Sequence, residues 1–245
     1  MDSTRFALAC GQVLKQHERY NIGTYQEKTI HAVLKQYFQP DSTFHEQPVA
    51  GFVADICFGD EIYEIQTRQF YHLDRKLNAY LKGNHQVTIV YPVPVRKWLS
   101  WVEPETGEIT EHRKSPRKGR AADVFRELYQ VRKYLSDEKL RICIMLLETE
   151  EFRLLDGYGK DKKKHSTRYD HVPLTLQQEV WLRQPADYRQ LIPEDLPDSF
   201  TSKDFASAAH IPANTARYGL LLLYDLGLVE RIAKKGTQYV YQLMA

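Results

Sequence analysis

The sequence predicts an α/β fold of the α+β type, with a mixed central sheet flanked by helices and a small C-terminal domain. Residues 51–58 and 61–67 are two short stretches rich in apolar side chains on either side of a Gly59-Asp60 turn, as expected for a β-hairpin. Stretches with helical spacing of apolar residues lie before and after this hairpin. The prolines and acids of residues 191–199 are typical of a linker, which divides the chain into residues 1–190 and 200–245.

The predicted elements of the first 190 residues lie between residues 3 and 155. We expect helices over residues 3–20, from residue 24, over 70–83 and over 121–135, and strands over residues 44–47, 51–58, 61–67, 86–93, 98–102, 108–114 and 139–155.

The composition limits the kinds of protein that this chain can be. Its 245 residues are 42% hydrophobic, which is enough for a core, and the net charge is only +2. We find no run of 18 apolar residues and no secretory leader, so we expect a soluble cytoplasmic protein without a membrane partner. The three cysteines are widely spaced and predict neither disulfides nor a zinc site. No motif for a nucleotide cofactor occurs.

Two acidic residues of the hairpin predict a metal site. Asp55 lies in the first strand and Glu64 in the second, where alternation puts Glu64 and Gln66 on one face and Ile65 on the other. Two carboxylates on neighbouring strands repel each other unless a cation lies between them. The pair is therefore typical of a Mg²⁺-dependent phosphodiesterase.

This pattern resembles the PD-(D/E)XK nuclease superfamily, whose core is an acid, a β-turn and then (D/E)-x-K on the next strand. Here the match is Asp55 followed by Glu64-Ile65-Gln66, and the order helix, strand, strand, helix, strand over residues 24–93 fits as well. The resemblance implies a restriction-endonuclease-like sheet in residues 1–190, with its core at about 24–93.

The resemblance also implies an activity, namely metal-dependent hydrolysis of DNA phosphodiester bonds by an endonuclease. Mg²⁺ or Mn²⁺ would be held by Asp55, Glu64, the Ile65 carbonyl and Glu27, a glutamate on the preceding helix. The implied partner is DNA, double-stranded or branched. Members of this family often act as homodimers, and the sequence leaves the oligomeric state open.

Gln66 stands where the family usually has lysine. A neutral amide orients a water molecule but supplies no positive charge to the reaction. Lys76 or Lys35 from flanking helices, or a second Mg²⁺, would replace that charge. The alternative is a catalytically inactive protein of the nuclease fold that binds nucleic acid or regulates transcription.

Two of the acids have structural alternatives to a metal-binding role. Glu64 is expected to be partly buried, and an ion pair with Arg68 would satisfy it. Glu27 follows Thr24 by three residues, which is the spacing of a helix capping box.

Residues 200–245 resemble a winged helix-turn-helix domain. Two helical stretches are separated by Ile211-Pro212, Gly227 ends the second, and a hairpin with a Lys234-Lys235-Gly236 turn follows. The resemblance implies DNA contacts from the start of the second helix and from the wing, namely Asn214, Thr215, Arg217, Tyr218, Lys234 and Lys235. Because many winged helices contact only protein, a protein-interaction adaptor is the other alternative.

Two basic clusters lie outside these motifs. Residues 113–120 contain five Lys or Arg interrupted by Pro and Gly, and we expect a mobile loop in which Arg117 and Lys118 contact phosphates. A second cluster occupies residues 160–165. The alternative for either cluster is a solvated surface loop.

Overall fold

A computed structural model describes residues 2–19, 29–158 and 165–244, which form a mixed α/β fold with a large mixed sheet flanked by helices. The helices are α1 (Ser3–Arg19), α2 (Thr29–Phe38), α3 (Asp74–Lys82), α4 (Phe125–Leu128), α5 (Ser202–Ala209) and α6 (Ala213–Asp225). The strands are β1 (His45–Val49), β2 (Phe52–Phe58), β3 (Glu61–Ile65), β4 (Gln86–Val102), β5 (Ile109–Lys114), β6 (Leu140–Leu154), β7 (Thr167–Leu182), β8 (Phe200–Thr201), β9 (Val229–Lys235) and β10 (Gln238–Leu243). Short 3₁₀ helices cover Ser42–Phe44, Phe70–Leu73, Ala121–Val124, Tyr129–Tyr134 and Pro185–Leu191. No helix of the described ranges is long and apolar enough to cross a membrane.

The large sheet has the strand order β1-β2-β3-β4-β6-β7, and β5 pairs with β4. Strand β2 pairs antiparallel with β3, and β3 pairs parallel with β4. The helix α3 lies between β3 and β4 in the chain, as a parallel connection requires. The far part of β4 pairs antiparallel with β5.

The chain divides into two compact units. The first comprises Met1–His45, Val93–Gly119 and Met145–Glu179, and the second comprises Glu46–Pro92, Arg120–Ile144 and Val180–Ala245. This division differs from the one that the sequence predicts at residues 191–199, so independent folding of residues 200–245 stays a prediction.

The first unit contains the N-terminal helices. Phe6 of α1 and Tyr37 of α2 meet edge to face with ring centroids 5.6 Å apart, and both are buried. The Tyr37 hydroxyl donates to the Glu179 carboxylate of β7. These contacts fix α1 against α2 within this unit.

The second unit has an apolar core built from the hairpin and α3. Ile56 of β2, Ile62 of β3 and Leu77 of α3 are each 0% exposed. Gly59 forms the hairpin turn with φ of 57°, a left-handed conformation that glycine adopts without strain. The predicted strand–turn–strand–helix order of this region is confirmed.

The C-terminal residues also belong to the second unit. Strands β8, β10 and β9 form a three-stranded sheet in that order. Thr201 caps α5 by accepting hydrogen bonds from the backbone N–H groups of Lys203 and Asp204, and Gly227 follows α6 with φ of 70°. Phe125 of α4 packs so closely on α6 that a Cβ at Gly219 would lie 2.7 Å from its ring.

Three details differ from the predicted elements. Residues 86–102 form one strand where two were expected, and residues 121–134 form mainly 3₁₀ helix where an α-helix was expected. Strand β7 was not anticipated.

Candidate functional site

Asp55 and Glu64 meet on neighbouring strands of the second unit. They occupy the positions next to the register pair Ile56–Tyr63 of β2 and β3, so their side chains share one face of the hairpin. The Asp55 Oδ2 accepts a hydrogen bond from the Ile65 backbone N–H at 2.6 Å. The two acids that the sequence singles out are therefore close together.

Lys76 on α3 reaches the Glu64 carboxylate. Its Nζ lies 2.9 Å from Oε1 and 2.8 Å from Oε2 of Glu64, and 2.7 Å from the Val53 carbonyl oxygen. The Glu64 side chain is only 3% exposed, whereas that of Lys76 is 24% exposed. The ion pair is thus formed with Lys76 and not with Arg68, the alternative partner in the sequence.

Tyr80 completes the contacts of Glu64 and was not anticipated. Its hydroxyl donates to Glu64 Oε1 at 3.2 Å, and the side chain is fully buried. Lys76 and Tyr80 are four residues apart on α3 and so lie on one helix face. That spacing is the signal in the sequence from which the Tyr80 contact could have been predicted together with that of Lys76.

The ionisation of Glu64 is affected by its burial and by the nearby carboxylate of Asp55. Burial and the neighbouring Asp55 carboxylate raise the pKa of Glu64 to about 7, although Lys76 and Tyr80 act in the opposite direction. A second negative charge close to a buried carboxylate disfavours its ionised form. An added cation would relieve this repulsion.

The remaining predicted residues of the site have different outcomes. The Gln66 side-chain amide donates to the Arg68 carbonyl oxygen at 2.6 Å and, more weakly, to that of Gln69 at 3.4 Å. Ile65 is buried, with its N–H bound to Asp55. Glu27 lies outside the described residues.

The donor set suits a hard divalent cation. Carboxylate and carbonyl oxygens are the ligands of Mg²⁺, which often takes one or two carboxylates and keeps several waters. Within the described ranges, no three His, Cys, Asp or Glu side chains come together as a metal cluster. Among the described residues, the side chains that could bind an ion here are therefore the two carboxylates of Asp55 and Glu64.

The basic loop of the first unit is anchored to β4 by two backbone hydrogen bonds, and the mobility of its cations stays a prediction. The Ser115 N–H donates to the Lys97 carbonyl at 2.8 Å, and the Gly119 N–H donates to the Pro94 carbonyl at 2.9 Å. Arg117 and Lys118 between these anchors are exposed. From the second cluster, residues 160–164 lie outside the described part of the chain.

Of the residues predicted to contact DNA in the C-terminal module, some are exposed and others are buried or packed. Asn214, Arg217, Lys234 and Lys235 are exposed. Thr215 is only 6% exposed, and Tyr218 packs against Tyr129 with ring centroids 4.6 Å apart. We therefore leave Thr215 out of any contact surface, because its side chain faces the core.

The chain belongs to the family described as a domain of unknown function (DUF8091), whose model matches residues 28–183. That span contains both the acids of the hairpin and the anchored basic loop. The chain is also similar to an uncharacterized protein of Treponema pallidum (strain Nichols), with 29% identity over 222 residues, covering 90% of this chain and 87% of that protein. No solved structure matches the chain.

Proposed function

We propose that this protein is a metal-dependent DNA endonuclease of the PD-(D/E)XK type. The observation that carries the proposal is the meeting of Asp55, Glu64 and Lys76, with the lysine Nζ 2.8 Å from the glutamate. Two carboxylates and one lysine are the side-chain types on which that family relies. In this interpretation Lys76 of α3 supplies the positive charge that Gln66 lacks.

The proposed cofactor is Mg²⁺ or Mn²⁺, bound by Asp55 and Glu64 with the Ile65 carbonyl and water. A divalent ion held by these groups would supply Lewis acidity to a phosphate oxygen and would lower the pKa of a water molecule. Binding requires Lys76 to move from the Glu64 carboxylate. Its side chain is 24% exposed, so an outward path is available.

The other side chains hold and orient the reactants. Lys76, once released, neutralises charge that develops on the phosphate, and Tyr80 keeps Glu64 in position through its hydroxyl. Gln66 orients the attacking water if its amide leaves the Arg68 and Gln69 carbonyls. The proposal assigns Glu27 as a further acid of this site.

The C-terminal module is proposed to be a winged helix-turn-helix that positions the nuclease on DNA. Its order β8, α5, α6, β9, β10 fits that motif, and α6 would approach the major groove by its N-terminal end. Asn214 and Arg217 are the exposed candidates there, and Lys234 and Lys235 are candidates for the phosphate backbone.

The test is a cleavage screen on labelled linear, nicked, single-stranded and four-way DNA, with Mg²⁺ or Mn²⁺ against EDTA. We expect cleavage only with metal, and a loss of roughly 100-fold or more in the Asp55→Asn, Glu64→Gln and Lys76→Met variants. Lys82→Met, an exposed lysine of the same helix, is the matched control. Circular dichroism checks that each variant is folded. Undiminished cleavage in both acid variants would remove the proposal.

A second candidate is a protein of the same fold that binds nucleic acid without cleaving it. It is favoured by Gln66, whose amide is engaged with backbone carbonyls, and by Lys76, which already neutralises Glu64. Calorimetric titration with Mg²⁺ separates the two candidates. The nuclease should show a heat of metal binding that is lost when Asp55 or Glu64 is replaced, and the non-cleaving protein should show none.

A further inference from the structure

The first unit contains a basic cavity of about 210 Å³ that is lined by Val95, Arg96, Lys114, Lys118 and Gln177. We propose that this cavity, the cationic cavity, binds a phosphate group. The inference does not depend on hydrolysis at Glu64, because every residue of the cavity lies in the first unit.

The size of the cavity selects a small ligand. Pockets for drug-sized molecules have roughly 300–1,000 Å³. The cavity, at about 210 Å³, is smaller than that range. That space suits a single phosphate group with its hydration and is too small to enclose a whole nucleotide.

The cavity also has an excess of positive charge. Arg96 is paired with Glu148 at 3.2 Å, but neither Lys114 nor Lys118 has an acidic partner in the described part of the chain. Three cations against one carboxylate leave about two positive charges. A phosphate group supplies the matching negative charge and accepts hydrogen bonds from both lysines.

Three other cations on neighbouring strands of this unit are already neutralised. Lys97, Arg153 and Arg168 all bind the buried carboxylate of Glu151, at 3.1, 2.7 and 3.0 Å. They hold strands together and are not available to a ligand. Among the cations that line the cavity, the uncompensated charge therefore lies at Lys114 and Lys118.

The cationic side chains are positioned by regular structure. Arg96 and Trp98 are two residues apart on β4 and share a face, and Lys114 of β5 is the register partner of Trp98. Glu148 accepts a hydrogen bond from Trp98 Nε1 at 2.8 Å while it pairs with Arg96. Glu148 thus orients Arg96 beside the cavity.

Lys118 is positioned by the anchored loop. Its neighbour Gly119 donates to the Pro94 carbonyl, and a Cβ at Gly119 would lie 2.6 Å from that oxygen and 2.8 Å from a Val93 methyl. Only glycine permits this close approach of the loop to β4. An alanine there would push Lys118 away from the cavity without changing any charge.

The first experiment measures binding of radiolabelled inorganic phosphate by equilibrium dialysis. We expect saturable binding at millimolar concentration by the full chain, and roughly tenfold or greater weakening in the Lys114→Gln/Lys118→Gln variant, which loses two charge-assisted bonds. The Lys15→Gln/Lys203→Gln variant has the same change in net charge at two exposed positions outside the cavity and should bind like the natural chain.

A further variant and a control condition sharpen the result. Gly119→Ala should lose phosphate binding with its charge intact, and binding should persist in EDTA, which separates this cavity from the proposed metal-dependent nuclease site. Circular dichroism establishes that each variant is folded. Absence of saturable phosphate binding, or equal binding by the Lys114/Lys118 and the Lys15/Lys203 variants, overturns the proposal.

The phosphate group could belong to a strand end or to the nucleic-acid backbone. Fluorescence anisotropy distinguishes these by comparing the binding of oligothymidine that carries a 5′-phosphate with that of oligothymidine that carries a 5′-hydroxyl. Tighter binding of the phosphorylated strand identifies a terminal phosphate, and equal binding identifies the backbone. Either result supports the cavity if it is lost in the Lys114→Gln/Lys118→Gln variant, and retention in that variant contradicts it.

Discussion

Replacing Lys76 with methionine should destabilise the second unit by leaving the Glu64 carboxylate buried without its cation. The methionine keeps most of the apolar stem but removes contacts of 2.9 and 2.8 Å to the two carboxylate oxygens. Breaking a buried ion pair on one side costs about 3–5 kcal/mol. Glu64, 3% exposed, has no solvent to compensate.

The same geometry sets a pH dependence for this cost. A carboxylate without its partner escapes the penalty by binding a proton, and Glu64 already has a pKa raised to about 7 by burial and Asp55. The loss in free energy of unfolding should therefore be larger near pH 8 than near pH 5, where the acid is protonated in both proteins. The difference is at most about 1.4 kcal/mol, because pH 8 lies one unit above the Glu64 pKa of the natural chain.

The assay is urea unfolding followed by far-UV circular dichroism at both pH values. Lys82→Met, on the exposed face of α3, should change stability by no more than about 0.5 kcal/mol. Glu64→Gln should recover most of the loss when it is combined with Lys76→Met, since it removes the stranded charge. Equal stability of the Lys76→Met and Lys82→Met variants, or a loss that Glu64→Gln does not relieve, would refute the reasoning.

Two further predictions concern packing and protonation. Gly219→Ala should lower the free energy of unfolding by about 1–3 kcal/mol, because its Cβ would lie 2.7 Å from the Phe125 ring. Gly11→Ala in α1 has open space and should be neutral or stabilising, and thermal melts of the two variants make the comparison. Burial lowers the pKa of His171 to about 4, so between about pH 6.5 and 4 the unfolded chain binds a proton that the folded chain does not. The free energy of unfolding of the natural chain should therefore fall by on the order of 3 kcal/mol relative to that of His171→Gln over this range. Parallel curves of stability against pH for the two proteins would contradict the His171 prediction.

The hairpin and its acids were predictable because their signals are local. Two short runs rich in apolar side chains, the Gly-Asp turn between them and one acid on each run are all contained in residues 51–66. The register pair Ile56–Tyr63 then puts Asp55 and Glu64 on one face. The partner of Glu64 is not local, and only the fold decides between Arg68 and Lys76.

The single long strand β4 was missed because of Pro92 and Pro94. Proline lacks an N–H and usually interrupts a strand. In the structure these prolines lie between the segment that pairs with β3, residues 86–90, and the segment that pairs with β5, residues 98–102. The absent N–H groups therefore remove no bond from either of these pairings.

The 3₁₀ character of residues 121–134 was not predictable from the apolar pattern. Buried Ala122, Phe125, Leu128 and Val131 recur every three positions, as in a 3₁₀ helix, but buried Val124, Leu128, Val131 and Leu135 have the spacing of an α-helix. The pattern therefore fits both helix types, and helix-forming side chains favoured the α-helical interpretation.

The contact of Phe125 with α6 has a consequence for biosynthesis. Phe125 is 0% exposed in the finished protein, yet it leaves the ribosome long before Gly219 and the rest of α6 are translated. During that interval an aromatic ring and its neighbours on α4 are uncovered, which favours aggregation or chaperone capture. A premature stop before residue 213 would make that exposure permanent, and we expect such chains to be insoluble and not to yield a shorter working protein.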